Sequence, residues 1–164
     1  MEDDHERTKD WAEREAEKDL GEAQEAAKAR EKSERDARLK DERGFECFGE
    51  LHAWIVRQAK SYSGQMPTQT IEVGEIEQVG GLDGHHFFKV SHTKSERMPM
   101  KMFYRSPPSA PHGITVDCGI VPKPQYSVSV GDDGNVFFET LKRQPKTIEE
   151  LGSELLDLWR NARI

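Results

Sequence analysis

Four histidines in the middle of the chain are the first residues whose type and spacing could form a chemical site. His85, His86 and His92 fall in one predicted strand, and His112 follows in a loop. Because alternate residues of a strand share a face, His86 and His92 point the same way but lie roughly 20 Å apart. That separation is too large for two ligands of one metal ion. No HExxH, CxxC or paired-aspartate spacing occurs either, so we expect ordinary strand and turn histidines, no metal site and no cofactor.

The two cysteines and the glycine-rich turn offer no catalytic centre. Cys47 and Cys118 fit neither a disulfide framework nor a zinc spacing. Cys118 lies in an alternating apolar run, which predicts a small buried side chain. There is no GxSxG nucleophile motif. The glycines from Gly80 to Gly84 lack both the GxxxxGK pattern and the following helix of a phosphate loop. The sequence therefore identifies no catalytic residue and favours a protein without enzymatic activity.

Basic and aromatic residues lie together on two consecutive predicted strands. Between His85 and Arg105 there are five basic residues and one acid, Glu96. If Phe88 and Val90 face the core on the first strand, and alternating methionines do so on the next, the outward side chains of the two strands are neighbours. We call them the basic-aromatic face, and they are Phe87, Lys89, Lys101, Phe103 and Arg105.

Three interpretations of the basic-aromatic face are open. Exposed cations beside aromatic rings suit single-stranded nucleic acid, through stacking and phosphate contacts. They also suit an acidic protein surface. In the simplest interpretation the face is solvated, and Phe87 and Phe103 form a cross-strand pair. The acidic N-terminal segment could also cover this face, in the same molecule or in a second copy.

Two helices and six strands would position these residues. The predicted strands are 68–79, 85–93, 98–105, 113–121, 125–130 and 136–142, and the predicted helices are 45–61 and 148–162. Apolar residues recur at spacings of three and four in both helices, and Thr147 followed by Glu150 is a capping box. Short loops and the absence of βαβ alternation predict an antiparallel six-stranded meander sheet, with both helices on one face. The fold class is α+β, with a long charged helix at the N-terminus.

Three methionines alternate along the third predicted strand, at Met98, Met100 and Met102. Flexible methionine side chains fill irregular cores, so the first interpretation is packing beneath the helices. The alternative is a cavity for a lipid or small ligand between sheet and helices. Such a cavity would lie near Met100, Tyr104, His92 and Trp159.

The first 43 residues differ from the rest of the chain in composition. They contain 16 Asp and Glu and 11 Lys and Arg, a net charge of −5, and no proline. Ala, Glu, Lys and Arg favour helix, but so polar a segment cannot form its own core. We therefore divide the chain into a charged helical N-terminal arm, residues 1–43, and an α+β globular domain, residues 44–164.

A stripe of small residues gives the arm a candidate contact surface. At heptad-like spacing this alanine stripe consists of Ala16, Leu20, Ala23, Ala27 and Ala37, interrupted by Arg30 and Glu34. Strong coiled coils need larger apolar residues at these positions. Three states stay open for the arm. In the first state the arm is a solvated helix held by acid–base pairs. In the second it is a helix docked on a partner or second copy, with Trp11 and Leu20 as apolar anchors. In the third it is a disordered segment.

Charge and hydropathy limit the partners and the compartment. The net charge of −7 does not favour general nucleic-acid binding, which needs a basic surplus. No apolar run approaches about 18 residues, and the acidic start of the chain is unlike a signal peptide. We expect a cytoplasmic protein that does not bind membranes.

The leading hypothesis is a non-enzymatic adaptor or assembly subunit that binds a protein partner or a second copy of itself. It would use the arm, through Trp11 and Leu20, and the basic-aromatic face. One alternative is a nucleic-acid-binding accessory protein that uses the same face. The other is a small-ligand carrier or an enzyme with a pocket between sheet and helices.

Overall fold

The computed structural model describes residues 2–81, 83–93, 97–105 and 112–162, without the side chains of residues 2–9 and Arg105. Contacts divide the chain into two compact units, Met1–Ala37 and Arg38–Ile164. The first unit is helical throughout its described residues, and the second contains the sheet, the hydrophobic core and the C-terminal helix.

One helix, α1, covers Glu2–Gln65, so the predicted charged helix and the shorter predicted helix that follows it are continuous. The region from residue 2 to residue 65 contains no proline, and good helix formers bridge the two segments. Pro67 follows the helix and removes the backbone donor that would continue it. From residue 10 onward, the first residue of α1 that is buried is Gly44. Beyond it an apolar stripe of Phe48, Leu51 and Ile55 is fully buried.

The strands form one antiparallel sheet, which confirms the predicted α+β class. They are β1 Ile71–Val73, β2 Glu77–Gln78, β3 His86–His92, β4 Met100–Arg105, β5 Gly113–Asp117, β6 Gln125–Val130, β7 Val136–Thr140 and β8 Pro145–Lys146, and α2 Ile148–Asn161 follows. Their order in the sheet is β1-β3-β4-β5-β6-β7-β8, with β2 also paired to β3. Each sequential pair from β3 to β8 is therefore adjacent, as in a meander.

The prediction of six strands is wrong, because the sheet contains eight among the described residues. The first predicted strand is divided: β1 and β2 each pair with β3, and between them the Gly74 amide donates to the Lys89 carbonyl at 2.8 Å. At the other end of the sheet, Pro145 and Lys146 follow a turn and pair with β7 as the short strand β8. A two-residue strand has too little alternation to be recognised from sequence.

Both helices cover the same face of the sheet. The buried side chains from the sheet are Phe88, Val90, Met100, Met102, Tyr104, Ile114, Val116, Tyr126, Val128 and Phe138, with Cys118 just beyond β5. They pack against the apolar stripe of α1 and against Leu151, Leu155 and Trp159 of α2. Thr147 caps α2, since its side chain accepts the Glu150 backbone N–H at 3.1 Å.

Two predicted positions around β4 and β5 differ from the structure. Met98 does not face the core with Met100: its side chain is 46% exposed, because it precedes β4 and lies outside the alternation of that strand. The Met98 carbonyl instead accepts a hydrogen bond from Trp159 Nε1 at 3.0 Å. The fourth predicted strand also ends early, at Asp117, since Gly119 adopts a φ of 82° that extended strands do not use.

Glycines allow two close approaches that position α1. A Cβ atom at Gly44 would lie 2.5 Å from the Tyr104 hydroxyl, so α1 lies directly against the sheet there. A Cβ atom at Gly152 of α2 would overlap ring carbons of Trp54 on α1. The absence of a side chain at these positions therefore sets the distance of α1 from the sheet and from α2.

Candidate interaction surfaces

The register of β3 and β4 brings most of the basic-aromatic face together. Phe87 lies opposite Phe103, and Lys89 lies opposite Lys101. The two rings stack with centroids 5.7 Å apart and planes 27° from parallel. Arg105 is the last residue of β4 and pairs with Gly113, but its side chain lies outside the described part of the structure. The cross-strand aromatic pair expected for this face is thus present.

Acidic residues from neighbouring strands lie on the same side of the sheet. Directly opposite strand residues share a face. Asp117 of β5 is paired with Lys101, and Glu77 of β2 is paired with Phe87. Asp117 also accepts a hydrogen bond from Lys123 Nζ at 3.1 Å. The face is therefore mixed in charge, and the charge pattern of residues 85–105 does not indicate this, because the acids lie outside that segment.

Arg97 belongs to a different part of the surface. Its guanidinium Nη1 donates to the backbone carbonyl of Arg160 in the last turn of α2. A cation at a helix C-terminus satisfies carbonyl groups that have no partner within the helix. Lys94 and Glu96, the other charged residues counted between the two strands, lie outside the described residues.

The described side chains from residue 10 to residue 43 include none that is buried. Trp11 and Leu20 are 59% and 60% exposed. They are nine positions apart, and at about 100° per residue they lie on opposite sides of the helix. Leu20 lies on the alanine stripe, and Trp11 does not. A single straight partner helix would therefore contact one of these residues and not both.

The histidines of the described chain make hydrogen bonds and ring contacts. His52 Nε2 is 2.8 Å from the Gly74 carbonyl oxygen, and His92 Nε2 is 3.4 Å from the Tyr62 hydroxyl. The His86 ring lies 4.4 Å from that of Phe45. Among the residues that the structure describes, no three His, Cys, Asp or Glu side chains are grouped as a metal site requires.

His112 forms a contact between a sheet loop and α1 that the sequence did not indicate. Its Nε2 lies 3.0 Å from Asp41 Oδ1. Burial lowers the pKa of His112, and the Asp41 carboxylate partly offsets this by favouring the charged imidazolium. The position lies in a loop, so only the folded chain brings it against α1.

Both cysteines are free and buried. Cys47 Sγ donates to the Val136 carbonyl at 3.6 Å. Burial, and the nearby carboxylates of Glu50 and Glu46, raise the pKa of this thiol to about 11. A thiol that is protonated at neutral pH is a poor nucleophile, so the Cys47 thiol is poorly suited to nucleophilic chemistry.

The interior between sheet and helices is occupied by side chains. Met100, Tyr104 and Trp159 have exposures of 0%, 2% and 2%, so these neighbours of the expected cavity pack in the core. An indentation lies instead at the surface between α1 and α2, with a volume of about 300 Å³. A larger and more open depression of about 750 Å³ runs along the acidic side of α2, past Glu150 and Glu154. The sequence did not indicate the indentation between α1 and α2, because its walls come from helix segments about 100 residues apart in the chain.

Comparison of the chain with protein-family models, with curated proteins and with solved structures finds no match. Within the described residues, neither helix combines the length and apolar character needed to cross a bilayer.

Proposed function

We propose that this protein is a non-enzymatic assembly or adaptor subunit that binds a protein partner through the alanine stripe of α1. The observation that carries the proposal is the exposure of α1 from residue 10 to residue 43, where the described side chains include none that is buried. In folded proteins most helix stability comes from packing an apolar face. A helix surface of this length that carries a leucine at 60% exposure gains such packing when a partner covers it.

The charge of the arm is unevenly distributed, which supports a directional contact. Residues 2–25 contain 11 acids and 4 bases, whereas residues 26–43 contain 5 acids and 7 bases. A second copy of the helix laid antiparallel would place the acidic part of one molecule beside the basic part of the other. Opposite charges along the flanks of a helix pair set its orientation. Self-association in this orientation is the simplest form of the proposal.

A matched pair of substitutions tests the stripe. Ala27 lies on the alanine stripe, and Ala29, two residues later, lies about 200° away around the helix. Both are exposed. Ala27→Glu and Ala29→Glu change charge and helix propensity equally, so only the face differs. In the full-length chain, Ala27→Glu should abolish partner binding, and Ala29→Glu should leave it unchanged.

Size-exclusion chromatography with light scattering measures self-association, against a monomer mass of 18.7 kDa. Affinity purification after cross-linking in a lysate measures association with a different protein. The proposal is rejected if the wild-type chain is monomeric and recovers the same proteins as the Ala27→Glu variant.

Binding of nucleic acid by the basic-aromatic face is the alternative. Acidic neighbours on β2 and β5 and the mutual stacking of Phe87 and Phe103 reduce the charge and the ring surface that it could offer. An electrophoretic shift of single-stranded probes at low salt that is lost in Lys89→Gln and weakens with added salt would favour this alternative.

A further inference from the structure

The groove between α1 and α2 has the features of a small-ligand site. Its volume of about 300 Å³ lies at the lower end of the range for such pockets, and suits a ligand of about the size of one amino acid. The groove lies wholly in the second unit and is independent of the arm.

The floor and one wall of the groove are apolar. Ile55 and Ala59 of α1 and Leu156 of α2 line it together with Ile71 at the start of β1. Trp54 adds an aromatic wall. Its ring is held against α2 by the close approach at Gly152, so the wall is preformed. Such a surface takes an aliphatic or aromatic side chain out of water.

A positive charge is held at the rim of the groove. The Arg160 guanidinium lies over the Tyr62 ring, 5.5 Å from its centroid. Tyr62 is itself held in place, because its hydroxyl donates to Gln69 Oε1 at 3.2 Å. Arg160 thus reaches from α2 across to α1, and its planar fork of donor groups matches the geometry of a carboxylate.

A negative charge lies beside it, on the same helix. Asp157 precedes Arg160 by three residues and also lines the groove. In the part of the chain that the structure describes, neither side chain is within ion-pair distance of an opposite charge. The rim therefore presents one cation and one anion that are adjacent but not paired with each other.

We propose that this groove binds a free α-amino acid with an apolar side chain. Arg160 receives the α-carboxylate in a bidentate contact, Asp157 receives the α-ammonium group, and the ligand side chain lies between Trp54 and Leu156. A simple carboxylic acid would bring its negative charge close to Asp157 with no cation to compensate it. A simple amine would bring its positive charge close to Arg160 with no anion to compensate it. Only a ligand that carries an ammonium group and a carboxylate on the same carbon atom satisfies both groups.

Isothermal titration calorimetry on the full-length protein tests this with defined probes. L-Leucine and L-phenylalanine should bind saturably at concentrations below about 10 mM. N-Acetyl-L-phenylalanine and phenylacetate lack the ammonium group, and L-phenylalaninamide lacks the carboxylate. Each should bind at least about tenfold more weakly, because each loses one charge-assisted contact.

Matched variants assign the contacts. Arg160→Gln and Asp157→Asn should each weaken L-phenylalanine by at least about tenfold. Lys142→Gln and Glu149→Gln remove the same charges from exposed positions outside the groove lining and should have no effect. Ser153→Leu fills the groove from an exposed position on α2 and should abolish binding of every probe, while circular dichroism confirms that the variant is folded.

Three results would overturn the proposal. They are no saturable binding of either amino acid up to about 10 mM, equal affinity for phenylacetate and L-phenylalanine, or unchanged affinity in Arg160→Gln. None of these results bears on the alanine stripe of α1, so the ligand proposal can be rejected without rejecting the proposed function, and the reverse also holds.

Discussion

A single methyl group added at Gly152 tests how closely α1 and α2 pack. Gly152 is buried in α2, and a Cβ atom there overlaps Cε3 and Cζ3 of the Trp54 ring. Replacing glycine by alanine inside a helix ordinarily stabilises it by about 1 kcal/mol. Here the new methyl group must displace a large aromatic ring, and overpacking costs roughly 1–3 kcal/mol. We therefore expect Gly152→Ala to lower the free energy of unfolding by up to about 2 kcal/mol.

Gly49→Ala is the matched control. Gly49 also lies inside a helix, but apart from that helix's own backbone no described atom lies within 4 Å of its Cβ position. It should gain the ordinary stabilisation of about 1 kcal/mol. Because both variants gain the same helix propensity, the difference between them, about 1–3 kcal/mol, measures the collision with Trp54.

Urea denaturation followed by tryptophan fluorescence and far-UV circular dichroism measures both variants. The midpoints are comparable if the dependence of the unfolding free energy on urea is unchanged. Adding Trp54→Leu to Gly152→Ala makes room for the methyl group, so a double-mutant cycle should show strong coupling between the two sites. If Gly152→Ala stabilises the protein as much as Gly49→Ala does, the close approach of the helices is refuted.

Three further predictions concern other residues of the core and of α2. Burial, together with the charge of Glu154 and a hydrogen bond to its carboxylate, raises the pKa of Tyr126 from 10.0 to about 12. The folded state therefore holds this proton more tightly, and stability should fall as the pH rises from 10 to 12. The pKa of Tyr104 is also raised to about 12, so Tyr126→Phe should make the fall in urea titrations across that range less steep without removing it, and an equally steep fall would contradict the assignment. Cys47, whose pKa is raised to about 11, should react with iodoacetamide at pH 8 far more slowly in the folded protein than in urea, as followed by mass spectrometry; similar rates would show that the thiol is accessible and ionised. Thr147→Ala removes the acceptor of the Glu150 N–H and should cost about 1 kcal/mol, whereas Thr147→Ser should cost much less in the same unfolding assay; equal losses would assign the effect to packing.

Local signals account for the elements that were predicted well. Strand β6 has the predicted bounds, and α2 ends within one residue of its predicted end. Alternation of apolar residues defines a half-buried strand, and spacings of three and four define a helix face. The cap at Thr147 needs only a hydroxyl three residues before a backbone amide. Each of these depends on residues that are near one another in the chain.

The errors arise where the structure depends on how strands and helices pair and where they begin, which local patterns do not specify. Strand β8 exists because β7 offers it an edge, and the acids on the basic-aromatic face arrive with β2 and β5. Met98 is exposed because β4 begins two residues later. The groove between α1 and α2 needs both helices side by side, and nothing in either helix alone specifies the other's position. Its residues, Arg160 and Trp54 among them, carry no motif that a reading of the sequence could recognise.

By itself, the sequence determined that the chain has a highly charged start rich in helix-forming residues and an α+β remainder, because composition and periodicity act within a few residues. It also determined which side chains of β3 and β4 lie together, since alternation sets their faces and the short connection sets their neighbours. Only the tertiary structure decided what surrounds those side chains, how near α1 lies to α2, and where a groove remains. Those properties arise from contacts between segments far apart in the chain, and such contacts depend on the shapes of both partners at once.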